Sequence, residues 1–317
     1  MKKILIILFL FVFLTGCQSL SGFTNPYQDS TQTSYEDFRT GSEGLIMQFT
    51  QNMPPPQLYD SEPFATIIEI TNEGTHTVGG PGDKIYLSGF DSTIIQGIPL
   101  TGKQIPTIEG RSRYVAEPGL GMVDFRGTIR DISSLRMDKY PVIIAATACY
   151  GYETIATVPV CIDPDPYSTT NTQKVCIPES AILGTQGAPI AVDTVDVLPS
   201  KGTTRFRIYI RNVGYGDVFR NGAEYLDRCS PHSKGLNFDE IDYVQLGDVS
   251  IAGINIKQTC KPLDSTGHIK LTNGEATILC ELSNIKGQTP YTTTINLVLR
   301  YGYRNSIFTE TEIFPID

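Results

Sequence analysis

Alternation of apolar and polar side chains is the dominant pattern along this chain. Between residues 204 and 211 the apolar side chains Phe206, Ile208 and Ile210 occupy every second position, and residues 295–300 alternate in the same way. A period of two is that of a half-buried β-strand and not of a helix. Further strands are predicted at 45–49, 85–88, 121–129, 154–161, 190–198, 242–256, 267–272, 275–282 and 306–314. Many short strands separated by turn residues predict an all-β fold of immunoglobulin-like β-sandwiches.

Two motifs occur twice in the same order, which indicates an internal repeat. The pattern Ile-x-Ile-x-Asn-x-Gly at 68–74 reappears at 208–214, and the Tyr-Gly-Tyr triplet at 150–152 reappears at 301–303. In the first motif Asn bonds readily to nearby backbone and Gly accepts positive φ, so the strand turns sharply there. The repeat predicts a duplicated β-sandwich domain.

The first seventeen residues predict where the protein is located. Lys2 and Lys3 precede an unbroken apolar run at 4–14, and the next three residues are Thr-Gly-Cys, ending at Cys17. This arrangement resembles a lipobox, in which the cysteine thiol accepts a lipid before the signal peptide is cleaved. The run is about half of the roughly 20 apolar residues that span a bilayer, so a permanent transmembrane helix is disfavoured. A plain signal peptide with an incidental cysteine is the alternative.

These patterns give an order of segments along the chain. They are a signal peptide at 1–16, a lipidated Cys17 with a flexible tether at 17–42, a β-sandwich domain at 43–163, a linker at 164–187 and a second β-sandwich domain at 188–317. The expected location is the cell membrane, with the domains anchored by lipid and exposed outside the cytoplasm.

Composition and charge narrow the class of partner. The chain has 29 Gly, 20 Pro and no Trp, which favours strands and turns over long helices. Its formal net charge is -9, so its surface repels nucleic acid, and no nucleic-acid partner is expected.

The repeated strand and turn resemble a known kind of module. An Ile-x-Ile-x-Asn-x-Gly strand, recurring in tandem in a secreted chain, resembles the CARDB-type immunoglobulin-like domains of uncharacterised microbial surface lipoproteins. The resemblance implies a binding or spacing module without catalytic residues. The cysteine content departs from it, because such modules often lack cysteine.

Six cysteines besides Cys17 form an even set, which in an extracytoplasmic compartment suggests up to three disulfides. They are Cys149, Cys161, Cys176, Cys229, Cys260 and Cys280. A cross-strand bond between Cys149 and Cys161 and a bond between Cys161 and Cys176 are the rival predictions. Cys229 is expected to join Cys260. Cys280 alternates with apolar residues and should face the core, either as a free thiol or bonded to Cys176.

The sequence contains no recognisable catalytic motif. There is no G-x-S-x-G, H-E-x-x-H or Walker loop, no C-x-x-C, and no ligand spacing among the histidines, so neither an enzyme, a cofactor nor a metal site is predicted. The acidic stretch 239–242 and the Asp-Pro-Asp-Pro segment at 163–166 are interpreted as a solvated loop and a stiff connector, with calcium binding as the alternative.

Two surface features could contact a partner. Arg205, Arg207 and Arg211 share one strand face and could bind an anionic glycan or an acidic protein; protection of an exposed sheet against edge pairing is the preferred interpretation. The tyrosines at 150–152 and 301–303 could stack on sugars, but their recurrence favours packing. We therefore expect a non-enzymatic surface protein that acts in adhesion, spacing or envelope assembly, with a protein or glycan partner. A glycan-binding lipoprotein that uses the arginine or tyrosine face is the alternative.

Overall fold

The computed structural model describes residues 38–168 and 174–316. The expected all-β class is confirmed, because nearly all regular elements of these residues are strands. In chain order the strands are β1 (Leu45–Phe49), β2 (Gln57–Tyr59), β3 (Pro63–Asn72), β4 (Lys84–Ser88), β5 (Ile95–Gln96), β6 (Lys103–Gln104), β7 (Gly119–Ile129), β8 (Tyr140–Ile162), β9 (Ala181–Ile182), β10 (Ile190–Ser200), β11 (Thr203–Asn212), β12 (Asp217–Phe219), β13 (Tyr243–Ile251), β14 (Ile254–Asn255), β15 (His268–Lys270), β16 (Glu275–Ser283) and β17 (Tyr291–Phe314). A seven-residue helix, α1, spans Ala223–Cys229, and 3-10 turns lie at Ser133–Leu135 and Lys257–Thr259. None of the helices in the described residues has the length and apolarity to cross a membrane.

The strands form three sheets. One four-stranded sheet has the order β1-β3-β7-β5, and a second has the order β16-β11-β10-β9. The third, nine-stranded sheet follows the path β14-β13-β17-β8-β4-β6, and β12, β15 and β2 pair at its sides. One extensive buried apolar cluster includes residues from all three sheets.

The alternating segments lie as their pattern predicts. On β11 the side chains of Phe206, Ile208 and Ile210 are buried, and residues 295–299 of β17 alternate between buried and outward positions. The single strand predicted at 242–256 is wrong: Ala252 and Gly253 both have positive φ, so the chain turns back there and β13 and β14 form a hairpin.

Strands β8 and β17 form one antiparallel ribbon. Their register runs from Tyr291 opposite Ile162 to Ile313 opposite Tyr140, with Gly302 opposite Gly151 near the middle. At about 3.3 Å per residue, a strand of the length of β17 extends about 75 Å. The ribbon therefore gives both repeats a common sheet.

Each long strand begins in its own repeat and ends against the other. The first part of β8 pairs with β4, whereas farther along Thr154 donates a hydrogen bond to the carbonyl of Ile190, at 2.6 Å. Reciprocally, the first part of β17 pairs with β13, and near its end Thr311 donates to the carbonyl of Pro55, also at 2.6 Å. Residues 38–168 and 174–316 accordingly belong to one compact unit. The division into separate domains at 43–163 and 188–317 stays a prediction.

Candidate functional site

Four tyrosines meet where the repeats cross on the ribbon. Tyr150, Tyr152, Tyr301 and Tyr303 pack edge to face or tilted, with neighbouring ring centroids 5.9 to 6.3 Å apart. None is more than 2% exposed, so they are unavailable as a sugar-stacking platform and the packing interpretation is confirmed. Burial raises the pKa of all four hydroxyl groups, which remain protonated hydrogen-bonding groups.

The repeated Ile-x-Ile-x-Asn-x-Gly motif bonds to these tyrosines in the same way in both repeats. The Tyr152 hydroxyl donates to Asn72 Oδ1 (3.4 Å) and accepts from the backbone N–H of His76 (3.4 Å). The Tyr303 hydroxyl donates to Asn212 Oδ1 (3.3 Å) and accepts from the N–H four residues later, that of residue 216 (2.7 Å). The two duplicated motifs are therefore parts of one hydrogen-bonded junction.

The two halves differ directly above the central glycines. In the second repeat Phe219 covers Gly302, where an added Cβ atom would lie 2.1 Å from the phenylalanine ring. The 140-residue offset that relates Asn72 to Asn212 places Gly79 opposite Phe219. An added Cβ at Gly151 would have Asp83 Oδ1, at 4.0 Å, as its only near neighbour. No side chain of the first repeat covers Gly151 as Phe219 covers Gly302, so the space above Gly151 is open.

This space is part of a cavity of about 330 Å³, here called the junction cleft. Residues 151–153 of β8 and Arg300 of β17 line it from the nine-stranded sheet, the loop at 76–83 lines it from the first repeat, and residues 221–226 line it from the second. The cleft thus combines distant parts of the sequence.

The residues around the junction cleft are tightly held. The carboxylate of Asp83 accepts backbone N–H bonds from Gly79, Gly80 and Gly151, each at 2.9 Å. Burial raises the pKa of this carboxyl group, although the three bonds oppose the shift. On the opposite side, a disulfide from Cys149 to Cys229 fixes α1 to β8.

Arg300, Glu153 and His76 are among the polar side chains that line the cleft. Arg300 Nε donates to Glu153 Oε2 at 2.8 Å, and the arginine side chain is 51% exposed. The ring of His76 lies edge-on to Tyr152, with centroids 5.3 Å apart. Burial lowers the pKa of His76, while the nearby carboxylates of Glu153 and Asp83 oppose the shift, so the imidazole is neutral at pH 7.

The disulfides correct part of the predicted pairing. The bonds are Cys149–Cys229, Cys161–Cys176 and Cys260–Cys280. The predicted Cys161–Cys176 bond is confirmed. The Cys149–Cys161 pairing is wrong, because both residues lie on β8, about 40 Å apart at 3.3 Å per residue.

The second-repeat cysteines also differ from expectation. Cys229 does not join Cys260, because α1 places Cys229 beside Cys149. Cys280 is buried as predicted but is bonded to Cys260. The sequence prediction missed α1, although the three-residue spacing of Leu226 and Cys229, both buried, is typical of a helix.

Each arginine of the β11 face lies beside a carboxylate. Arg205 contacts Glu281 at 2.8 Å, Arg207 contacts Asp196 at 3.7 Å and Arg211 contacts Asp193 at 2.9 Å. These pairs neutralise most of the positive charge of the stripe. The edge-protection interpretation is wrong, because β11 lies between β10 and β16.

The acidic segments are built into ion pairs. Glu240 contacts Arg228 and accepts the N–H of Asn237, while the buried carboxylate of Asp163 contacts Lys174 Nζ at 2.6 Å. In residues 38–168 and 174–316 no three His, Cys, Asp or Glu side chains are grouped as metal ligands would be.

Sequence reasoning did not single out the junction cleft, since its residues come from four separate segments. The available signal was the difference between the repeats at Gly79 and Phe219. The predicted anchor, Cys17, lies outside the described residues, as do the signal peptide and most of the tether. No family model matches the chain, and a search of the curated proteins finds no match either.

Proposed function

We propose that the protein is a non-enzymatic, lipid-anchored cell-surface scaffold that acts in adhesion, spacing or envelope assembly. Cys17 is the membrane anchor. Outside the cytoplasm, the β-sheet unit offers a rigid surface to which a protein or glycan partner binds.

The set of three disulfides is the observation that carries the proposal. Disulfides persist in oxidising compartments and are rare in the cytosol. A lipobox-like sequence that ends at Cys17 supplies a route to such a compartment and an attachment to its membrane. Two acyl chains hold a protein on a bilayer far better than one, since each buried methylene contributes about 0.8 kcal/mol.

The β8/β17 ribbon supports a scaffold role. It passes through both repeats without a break, and the tyrosine junction and the Cys149–Cys229 bond hold its centre. Bending between the repeats would disrupt these contacts. A stiff body suits a spacer or assembly surface, because little conformational entropy is lost when a partner binds.

Metabolic labelling with an alkyne fatty acid tests the anchor. The wild-type protein should be labelled and should remain with the membrane fraction, whereas Cys17→Ser should be unlabelled. The matched control is the double variant Cys161→Ser/Cys176→Ser, which loses two cysteines of the sheet unit and should keep the label. Equal labelling of the Cys17→Ser variant would show that Cys17 is not the anchor.

A further inference from the structure

We propose that the junction cleft binds one or two pyranose rings of an uncharged glycan. This inference goes beyond the scaffold function and does not depend on the lipid anchor. The site is separate from the arginine face, whose side chains are paired, and of the four buried tyrosines only Tyr152 belongs to its lining.

The cleft exists because the two repeats differ where packing would favour similarity. Phe219 fills the space above Gly302, whereas the matching space above Gly151 has only Asp83 Oδ1 within 4.0 Å. The polar residues of the cleft are not duplicated either: the offset that relates Tyr152 to Tyr303 places Arg304 opposite Glu153. The junction hydrogen bonds are kept in both repeats although Glu153 is not, so the junction does not require this carboxylate.

Arg300 and Glu153 supply the polar groups that recognise a sugar. Their mutual bond joins Nε to one carboxylate oxygen, at 2.8 Å. Within the described residues, the Nη groups of Arg300 and the Oε1 atom of Glu153 make no hydrogen bond. Donors and an acceptor then stand side by side, as neighbouring hydroxyl groups of a sugar require, and bonds to charged groups are stronger than neutral ones.

The charge of the cleft favours a neutral ligand. Asp83 and Glu153 outnumber Arg300, and His76 is uncharged at pH 7, so an anionic sugar would be repelled. Asp83 is occupied by three backbone N–H groups and serves the loop. A polyhydroxylated ligand without charge fits the remaining donors and acceptors.

The rest of the lining suits the apolar face of a sugar ring. Pro81, Ala223 and Leu226 contribute aliphatic surface to the cleft. A volume of about 330 Å³ lies at the lower end of the range for small-molecule sites, which is about 300 to 1,000 Å³. The Cys149–Cys229 disulfide and the hydrogen bonds of Asp83 fix opposite sides of the cleft. Sugar binding therefore costs little conformational entropy of the protein.

Ligand-observed NMR titration of the full chain carrying Cys17→Ser tests the inference. The probes are the neutral disaccharides maltose, cellobiose, lactose and diacetylchitobiose, with glucuronic acid as the anionic comparison. At least one neutral disaccharide should bind saturably, and glucuronic acid should not bind. Arg300→Gln should weaken binding about tenfold or more, since it removes hydrogen bonds from a charged group. Ala223→Trp, at an exposed position on the cleft wall, should block binding by filling the space.

Arg205→Gln is the matched control. Arg205 pairs with Glu281 through the same atoms and at the same 2.8 Å distance, and it is 50% exposed, but it does not line the cleft. It should leave the sugar Kd within about twofold of wild type, a change that is negligible in free energy. The inference is overturned if no neutral disaccharide binds, if glucuronic acid alone binds, or if folded Arg300→Gln and Ala223→Trp variants bind as wild type does. Any of these results leaves the labelling test of Cys17 unaffected.

Discussion

Asn72 connects three segments that are distant in the sequence. Its side-chain amide donates to the carbonyls of His76 (2.7 Å) and Ile108 (3.2 Å), and its Oδ1 accepts from Gly74 N–H (3.2 Å) and from the Tyr152 hydroxyl. Because the side chain is fully buried, water cannot replace these partners if the amide is removed.

We therefore expect Asn72→Ala to lower the free energy of unfolding by about 1 to 3 kcal/mol, the cost of leaving buried polar groups unpaired. Asn212→Ala is the comparison: Asn212 makes the equivalent bonds to Tyr303 and residues 214 and 216, but it is only partly buried. Asn212→Ala should therefore lower the free energy of unfolding by less than Asn72→Ala does. Urea denaturation of both variants gives the two values, and equal losses would contradict this explanation.

His76 gives the unfolding free energy a pH dependence. Its pKa is lowered in the folded protein by burial, with Arg300 contributing and Glu153 and Asp83 opposing. The unfolded chain therefore binds a proton more readily, so stability is fully present above the unfolded pKa of about 6.5 and falls as pH decreases through the folded pKa. The pKa of His268 is lowered as well, and it adds to the same trend.

Stability should consequently be lower at pH 5.5 than at pH 7.5. The variant His76→Gln should reduce this difference, leaving the contribution of His268. Denaturation midpoints at both pH values provide the measurement. An unchanged pH difference in folded His76→Gln would contradict the proposed linkage.

At the level of elements, the periodicity of the sequence was sufficient to predict the positions of most strands. The alternation on β11 and β17 predicted both their positions and their buried faces, because a period of two fixes which side chains share a face. It could not predict that β8 and β17 continue into the opposite repeat. Their partners there, such as Ile190 and Pro55, are distant in sequence and carry no local signal.

Ile313 tests this strand exchange. It lies near the end of β17 and is fully buried, with Tyr140 opposite it on β8 and Leu58 of β2 beside it. Ile313→Ala should cost about 2 to 5 kcal/mol, as expected for an aliphatic core residue. Phe308, on the same strand but 74% exposed, is the control, and Phe308→Ala should change stability by about 0.5 kcal/mol or less. Similar values for the two variants in urea denaturation would show that the end of β17 is not packed in the first repeat.

At the level of the whole molecule, the sequence repeat predicted a duplication but not the way in which its copies are joined. The cysteine pairs show the reason. The sequence suggested Cys161 of the same repeat as a partner for Cys149, whereas α1 brings Cys229 to it from the other repeat. The junction cleft was missed for the same reason, since its sides come from both repeats.

Peptide mapping of the non-reduced protein tests the central claim that the repeats are interlocked and oxidised. We expect three disulfide-linked peptide pairs, Cys149–Cys229, Cys161–Cys176 and Cys260–Cys280. The Cys149–Cys229 pair is decisive, because it joins β8 to α1 across the two repeats. Recovery of Cys149 as a free thiol, or bonded to a cysteine other than Cys229, would contradict the account.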